Sequence, residues 1–215
     1  PLDRLHVVGN IRMVDGNQAL GRVLTSDANG TATWQTPSGA GTTLDGAYDF
    51  GGAGAGRTIT ADAGAVLING TDGLVSTGTP GSGALAPAGA GTRMVWSPNK
   101  SAFRAGSVLG TQWNDANIGV GSFAGGISTI ASGQNSFAMG SNNIATGVGS
   151  TAMGTVNVAS GAAATAMGLA NTAPSFGETV LGIGSTTYVP SLNGNTQFRT
   201  ANATDRLLVV GNAID

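Results

Sequence analysis

Between Asn117 and Ser185, small, apolar and polar positions recur every seven residues, a period that matches neither one long strand nor an ordinary amphipathic helix. Glycine marks the grid at Gly119, Gly126, Gly133, Gly140, Gly147, Gly154, Gly161, Gly168 and Gly182, with Ser175 in the one gap. Two positions earlier stand Ala124, Ala131, Ala138, Ala145, Ala152, Ala159, Ala166, Ala173 and Val180. Three positions earlier runs a larger apolar row, Phe123, Ile130, Phe137, Ile144 and Val158. The residue just before each glycine alternates between small residues and Met139, Met153, Met167 or Leu181. The full unit is therefore fourteen residues, as in Ser136-Phe-Ala-Met-Gly-Ser-Asn-Asn-Ile-Ala-Thr-Gly-Val-Gly149.

A seven-residue period first suggests a coiled coil. Glycine in a helix interior costs about 1 kcal/mol relative to alanine each time, and the charged flanking positions that pair helices are missing. One short strand and one tight turn per half-unit fit instead, with glycine supplying the turn or the close backbone approach. Two half-units make one coil of a flattened solenoid, and about five coils stacked at ~4.8 Å give a rod section ~25 Å long. Alanine and methionine are expected to fill its narrow interior. The Phe123, Ile130, Phe137, Ile144 and Val158 row faces the other way, because strand neighbours point to opposite faces. An apolar row left outside calls for a partner chain, and a homotrimer about a shared axis closes such a fibre.

The alternation of Ser-x-Ala-Met-Gly with Ala-Ser-Gly or Ala-Thr-Gly resembles the YadA-like head repeats of trimeric autotransporter adhesins. The resemblance covers about a third of the chain and implies an all-β, repetitive fibrous structure. That structure is a left-handed parallel β-roll with fourteen-residue coils in an intertwined homotrimer, flanked by small β modules. Departures at Ala173-Pro174-Ser175 and at Glu178 to Gly182 imply a modified, capping last coil. The run Thr43 to Asp62, with Ser101 to Gly119, resembles fibre-like surface proteins of Gram-negative bacteria and tail-fibre proteins of phage-type particles. Many of these carry a C-terminal trimerisation chaperone of the endosialidase type. The implied setting is extracellular: a bacterial cell surface, or the tail fibre of a phage-like or contractile injection particle. The implied partners are further copies of the chain, a cell-surface or glycan receptor, and a carrier particle or cell envelope.

In order, the chain divides into an N-terminal β module (1–36), a glycine-rich β shaft and connection (37–91), a cap and entry to the repeats (92–118), the repeats (119–185), and a C-terminal β hairpin with the start of a further module (186–215). In the first, Leu5 to Val8 and Ile11 to Val14 read as β-rich runs, and Asp27-Ala-Asn-Gly30 reads as the turn of a hairpin. In the second, Arg57 to Thr60, Ala65 to Ile68 and Leu74 to Thr77 read as strands of another solenoid-like shaft. Trp96, Phe103 and Trp113 are candidates for capping the first coil, as solenoid ends require. Tyr188 to Arg199 reads as a closing hairpin turning at Asn193-Gly194. Asp3-Arg-Leu-His-Val-Val-Gly-Asn-Ile11 returns as Asp205-Arg-Leu-Leu-Val-Val-Gly-Asn-Ala213, from which a longer modular protein is expected.

Composition narrows function. With 37 glycines among 215 residues, 9% charged and 5% aromatic, the chain suits neither a conventional core nor typical disorder. A net charge of −2 offers no electrostatic case for nucleic acid. No apolar run approaches the ~20 residues of a membrane span, so no membrane insertion is expected in this segment. There is no cysteine.

Candidate chemistry is thin. Gly51 to Thr58 nearly spells a phosphate loop, but with Arg57 for lysine and β-like flanks it reads as a turn. His6 is the single histidine, which excludes catalytic pairs within one chain and leaves ion binding by three copies on an axis as an open alternative. Asp45, Asp49, Asp62 and Asp72 lack calcium-loop spacing and read as turn residues. Asn29-Gly-Thr31, Asn69-Gly-Thr71 and Asn202-Ala-Thr204 match the glycosylation pattern and also read as turns. Between Asp115 and Arg199 the one acid or base is Glu178, expected to meet only its own copies in a trimer, so no catalytic pair forms there. We therefore expect no enzyme, catalytic residue, cofactor or metal, and an adhesive fibre segment. The alternatives are an ice- or surface-binding β-solenoid and, more remotely, a surface glycan-degrading one.

Overall fold

The computed structural model describes residues 7–36, 61, 63–83, 88–185, 188–191 and 205–212. It divides into two units, Pro1–Gly73 and Leu74–Asp215.

In the first unit, β1 (Val23–Ser26) and β2 (Ala32–Gln35) pair antiparallel around the Asp27-Ala-Asn-Gly30 turn. Asp27 Oδ1 accepts the backbone N–H groups of Asn29 at 2.9 Å and Thr31 at 2.8 Å, so the aspartate side chain templates the turn. Trp34 ties the hairpin to the preceding segment, its indole N–H donating to Met13 O at 2.8 Å. Its backbone N–H donates to Asp15 Oδ2 at 3.0 Å, the leading cause that holds the Asp15 carboxyl below its usual range. The β runs expected at 5–8, of which 7 and 8 are described, at 11–14, at 65–68 and, in the second unit, at 74–77 form no strand among the described residues. Their apolar side chains, Val8, Leu67 and Val75 among them, are exposed, and among the described residues no neighbouring strand supplies the hydrogen bonds that a β-run needs.

The second unit is a β-solenoid of about four turns. It opens with an antiparallel pair, β3 (Gly91–Ser97) and β4 (Ala102–Val108), joined through a 3-10 turn at Pro98–Lys100 and Ser101 at φ 50°. A second 3-10 turn, Asp115–Asn117, leads into the repeats. Five-residue strands then alternate with two-residue ones. The long strands are β5 (Phe123–Ile127), β7 (Phe137–Ser141), β9 (Thr151–Thr155), β11 (Thr165–Leu169) and β13 (Thr179–Ile183). The short ones are β6 (Ile130–Ala131), β8 (Ile144–Ala145), β10 (Val158–Ala159) and β12 (Thr172–Ala173). The long strands join β3, β4 and β14 (Leu208–Asn212) in one eight-stranded sheet, and the short ones form a four-stranded sheet. Every pairing from β5 to β13 is parallel and in register at fourteen residues, as in Ala138 with Ala152 and Ile144 with Val158.

The core between the sheets is built from the alanine rows. Ala124, Ala138, Ala152 and Ala166 from one sheet and Ala131, Ala145, Ala159 and Ala173 from the other are all 0% exposed. Nothing larger than a methyl group is used at these positions until Val180, so neighbouring backbones lie close. An ideal Cβ built on Gly147 would fall 2.0 Å from Gly161 O, which is why the grid needs glycine there.

Each coil turns two corners through a residue in the left-handed region, which favours glycine or asparagine. One set is Gly121, Asn135, Gly149, Ala163 and Gly177; the other is Ser128, Asn142, Val156, Ala170 and Gly184. Their N–H groups reach back one coil, as Gly149 does to Gln134 O at 2.7 Å and Val156 to Ser141 O at 2.9 Å. The ladder thus continues around the corners. Val156 is the misfit, a β-branched residue at φ 57° that is about half exposed. Val156→Asn should raise stability by about 1 kcal/mol in chemical denaturation, since it relieves backbone strain and forfeits little burial.

Candidate functional site

Three features of the solenoid can act on something outside it: its charge-free sheet face and its two closed ends. The outer face of the eight-stranded sheet carries a line in register, Trp96, Phe103, Phe123, Phe137 and then Thr151, Thr165, Thr179 and Leu208. Phe103 stacks on Phe123 with ring centroids 5.4 Å apart, and Phe123 on Phe137 at 5.1 Å. A second line beside it holds Met139, Met153, Met167, Leu181 and Val210, with Met94 on β3. Met139, Leu181 and Val210 are exposed. Among the strands of this sheet the charged residues are Arg93 and Arg104, and neither lies on these two lines.

The methionines correct the sequence reading. They do not fill the interior, because each follows a buried alanine in the same strand and must point to the opposite face. The larger apolar row divides as well. Phe123 and Phe137 lie half-buried on the eight-stranded sheet, whereas Ile130, Ile144 and Val158 lie half-buried on the four-stranded one. Successive half-units supply alternate sheets, so one row in the sequence becomes two outer surfaces.

Inside one corner runs an asparagine ladder that the sequence reading missed. Asn143, Asn157 and Asn171 are 0% exposed. Asn157 Nδ2 donates to Met153 O and Gly168 O, each at 2.8 Å, and to Asn143 Oδ1 at 3.0 Å. The backbone N–H of each next asparagine donates to the amide oxygen below, Asn157 to Asn143 at 2.8 Å and Asn171 to Asn157 at 3.0 Å. Thr129 and Ser185 occupy the same place in the flanking coils, where the Ser185 hydroxyl accepts Thr172 N–H at 2.8 Å. At another corner the hydroxyls of Ser122, Ser136 and Ser150 donate to Gly119, Gly133 and Gly147 carbonyls at 2.6–2.8 Å.

The first end is closed by Arg104 and Trp113. Arg104 is in register with Ala124, so a guanidinium occupies the alanine row one rung before the repeats begin. It is 1% exposed and donates to Phe103 O, Ser122 O, Ser122 Oγ and Ala131 O at 2.7–3.0 Å. Burial brings its pKa down to about 10, which leaves it charged at neutral pH. Trp113, 1% exposed, donates its indole N–H to Thr129 O at 3.0 Å, with Arg93 over its ring at 5.8 Å. Of the three capping candidates, Trp113 is buried, Phe103 is half-buried in the aromatic stack, and Trp96 is 43% exposed on β3.

At the other end, Glu178 is fully buried. Its Oε2 accepts Ser175 N–H at 3.0 Å and its Oε1 faces Arg206 Nε at 3.2 Å. Arg206 lies over the Tyr188 ring at 3.8 Å. Within the chain, then, Glu178 meets an arginine delivered by the segment that leads into β14, contrary to the expectation that only its own copies could reach it. Burial raises its pKa, opposed by the Ser175 bond and by Arg206. A carboxyl with a raised native pKa contributes stability that is fully present below the unfolded value, near 4.5, and is lost as pH rises through the native value. Wild type minus Glu178→Gln, followed as melting temperature against pH, should therefore fall across that window as pH rises.

Gly51 to Thr60, His6, Asp45, Asp49, Asp62, Asn193-Gly194 and Asn202 to Thr204 lie outside the described residues. Among the described residues no cluster of His, Asp or Glu could hold a metal ion. Comparison of the chain with protein-family models, with curated proteins and with solved structures finds no match.

Proposed function

We propose that this chain is a structural and adhesive segment of a homotrimeric extracellular fibre, its solenoid a left-handed β-roll that packs against two further copies. The observation that carries the reading is the inverted distribution of apolar side chains. The row between the sheets is alanine from Ala124 to Ala173, while phenylalanine, methionine and leucine lie on a sheet face without charge. Such a face is a liability in a lone chain and an asset in a bundle. The exposed apolar runs at 65–68 and 74–77, β-like in sequence, fit the same reading, since pairing between copies would turn them into strands. As a fibre segment it displays a binding surface away from a carrier particle or cell envelope and attaches to a cell-surface or glycan receptor, without catalysis.

Light scattering tests the assembly. The expected mass is three times 21.0 kDa, and Met153→Glu, placed on the charge-free face, should reduce it toward the single-chain value. A monodisperse wild-type monomer overturns the trimer. Binding of the trimer to whole bacterial or host cells, competed by soluble surface glycans, tests adhesion; no binding to any surface overturns that part.

A further inference from the structure

The octapeptide that occurs twice has a defined task in its second place. Leu208 to Asn212 form β14, the last rung on β13, and Leu207 O accepts Thr179 N–H at 2.8 Å. Arg206 reaches the buried Glu178, and Asp205 accepts the Ser191 N–H at 2.8 Å and hydroxyl at 2.7 Å. Val209 packs against the alanine core. Gly211 lies so close to the coil below that a Cβ would fall 2.7 Å from Ile183 O and 2.8 Å from Gly184 O.

The first copy keeps every one of these residues except Leu208, where it has His6. That position is 66% exposed on the rung, so an imidazole is tolerated there. Yet residues 7–10 belong to no strand, and Val7 and Val8 are 44% and 91% exposed. Among the described residues of the first copy, 7–10, the sequence of an end rung is present without a sheet.

We propose that the octapeptide is a portable end rung, and that Asp3 to Asn10 of one copy takes the place of Asp205 to Asn212 on the solenoid end of a second copy. The exchange delivers Arg4 to Glu178, Val7 to the core and Gly9 to the close approach, and the one side chain it changes is the exposed Leu208. Strand addition supplies the affinity and the buried glutamate supplies the selection for arginine. Exchange of matching elements between copies is an inexpensive route to assembly, and here it joins one copy's first module to another's solenoid. The inference does not depend on three-fold packing.

Cysteine coupling between full-length chains tests it, because the chain has no cysteine of its own. Leu181 pairs with Val210 in the present rung, and Val8 corresponds to Val210. One chain carries Val8→Cys, a second chain of different tag mass carries Leu181→Cys, and a short bis-maleimide is added to the mixture. The expected product is a covalent heterodimer, lost when the donor chain also carries Arg4→Glu. A single chain with Leu181→Cys and Val210→Cys is the register control. The proposal is overturned by absence of heterodimer where the control couples, by a heterodimer that Arg4→Glu leaves undiminished, or by failure of the control, since the rung geometry then does not hold.

Discussion

Replacing Gly147 by valine should abolish cooperative folding of the solenoid, and even Gly147→Ala should cost on the order of 4 kcal/mol, at the upper limit of single-substitution effects. The added Cβ would meet Gly161 O at 2.0 Å, its carbonyl carbon at 2.5 Å and Ser160 O at 3.0 Å, all backbone atoms of the next coil. No side chain can swing aside, so the rungs themselves must separate and break their ladder. Gly149→Ala, two residues along, is the matched control. Its φ is 67° and nothing lies within 4 Å of the new methyl group, so the cost is about 1 kcal/mol of left-handed strain. Alanine already stands at φ 55° in the equivalent Ala163. Urea denaturation of both variants checks the contrast; similar losses would mean that backbone conformation, not stacking distance, selects glycine on the grid.

Asn157→Ala should destabilise the solenoid by about 3–5 kcal/mol. It removes the side-chain donor from Met153 O, Gly168 O and Asn143 Oδ1, which keeps only the residue-157 backbone N–H, and leaves the Asn171 N–H without its acceptor, all in a corner closed to water. Each buried polar group left unsatisfied costs about 1–3 kcal/mol, and carbonyls that keep a ladder bond fall at the lower end. Thr155→Ala, on an exposed side chain in the preceding strand, should change stability by less than about 0.5 kcal/mol. Hydrogen exchange adds a local readout, because the Asn171 amide should lose protection in the Asn157 variant more than amides two coils away.

The repeating fold was legible because the solenoid applies one steric demand every seven residues. Gly133 and Gly147 announce the close approach and Ala131 and Ala145 announce the narrow core, whichever sheet they belong to. The same uniformity hid the difference between sheets: Phe137 and Ile144 look equivalent along the chain and face opposite ways in space. The asparagine ladder was visible only at the longer period. Thr129, Asn143, Asn157, Asn171 and Ser185 recur every fourteen residues, but asparagine in a glycine-rich chain also reads as a turn residue. Arg104 could not be found by period at all. It pairs with Ala124 at a spacing of twenty residues because the entry loop lengthens that coil. Arg206 likewise reaches Glu178 from beyond the repeats, through a register that only the folded rung defines.

The stacking of coils also sets how such a rod answers a pull. Fourteen residues advance the folded solenoid by one strand spacing, ~4.8 Å, but span ~48 Å when drawn out straight. A rung peeled from either edge therefore releases about ten times its folded length while its neighbours keep their bonds. The Glu178 to Arg206 contact stands at the β14 edge where peeling would begin, and Arg104 stands one strand in from the opposite edge, β3. A solenoid built this way stays short and stiff until its end clasps fail, then lengthens coil by coil, absorbing work at each step.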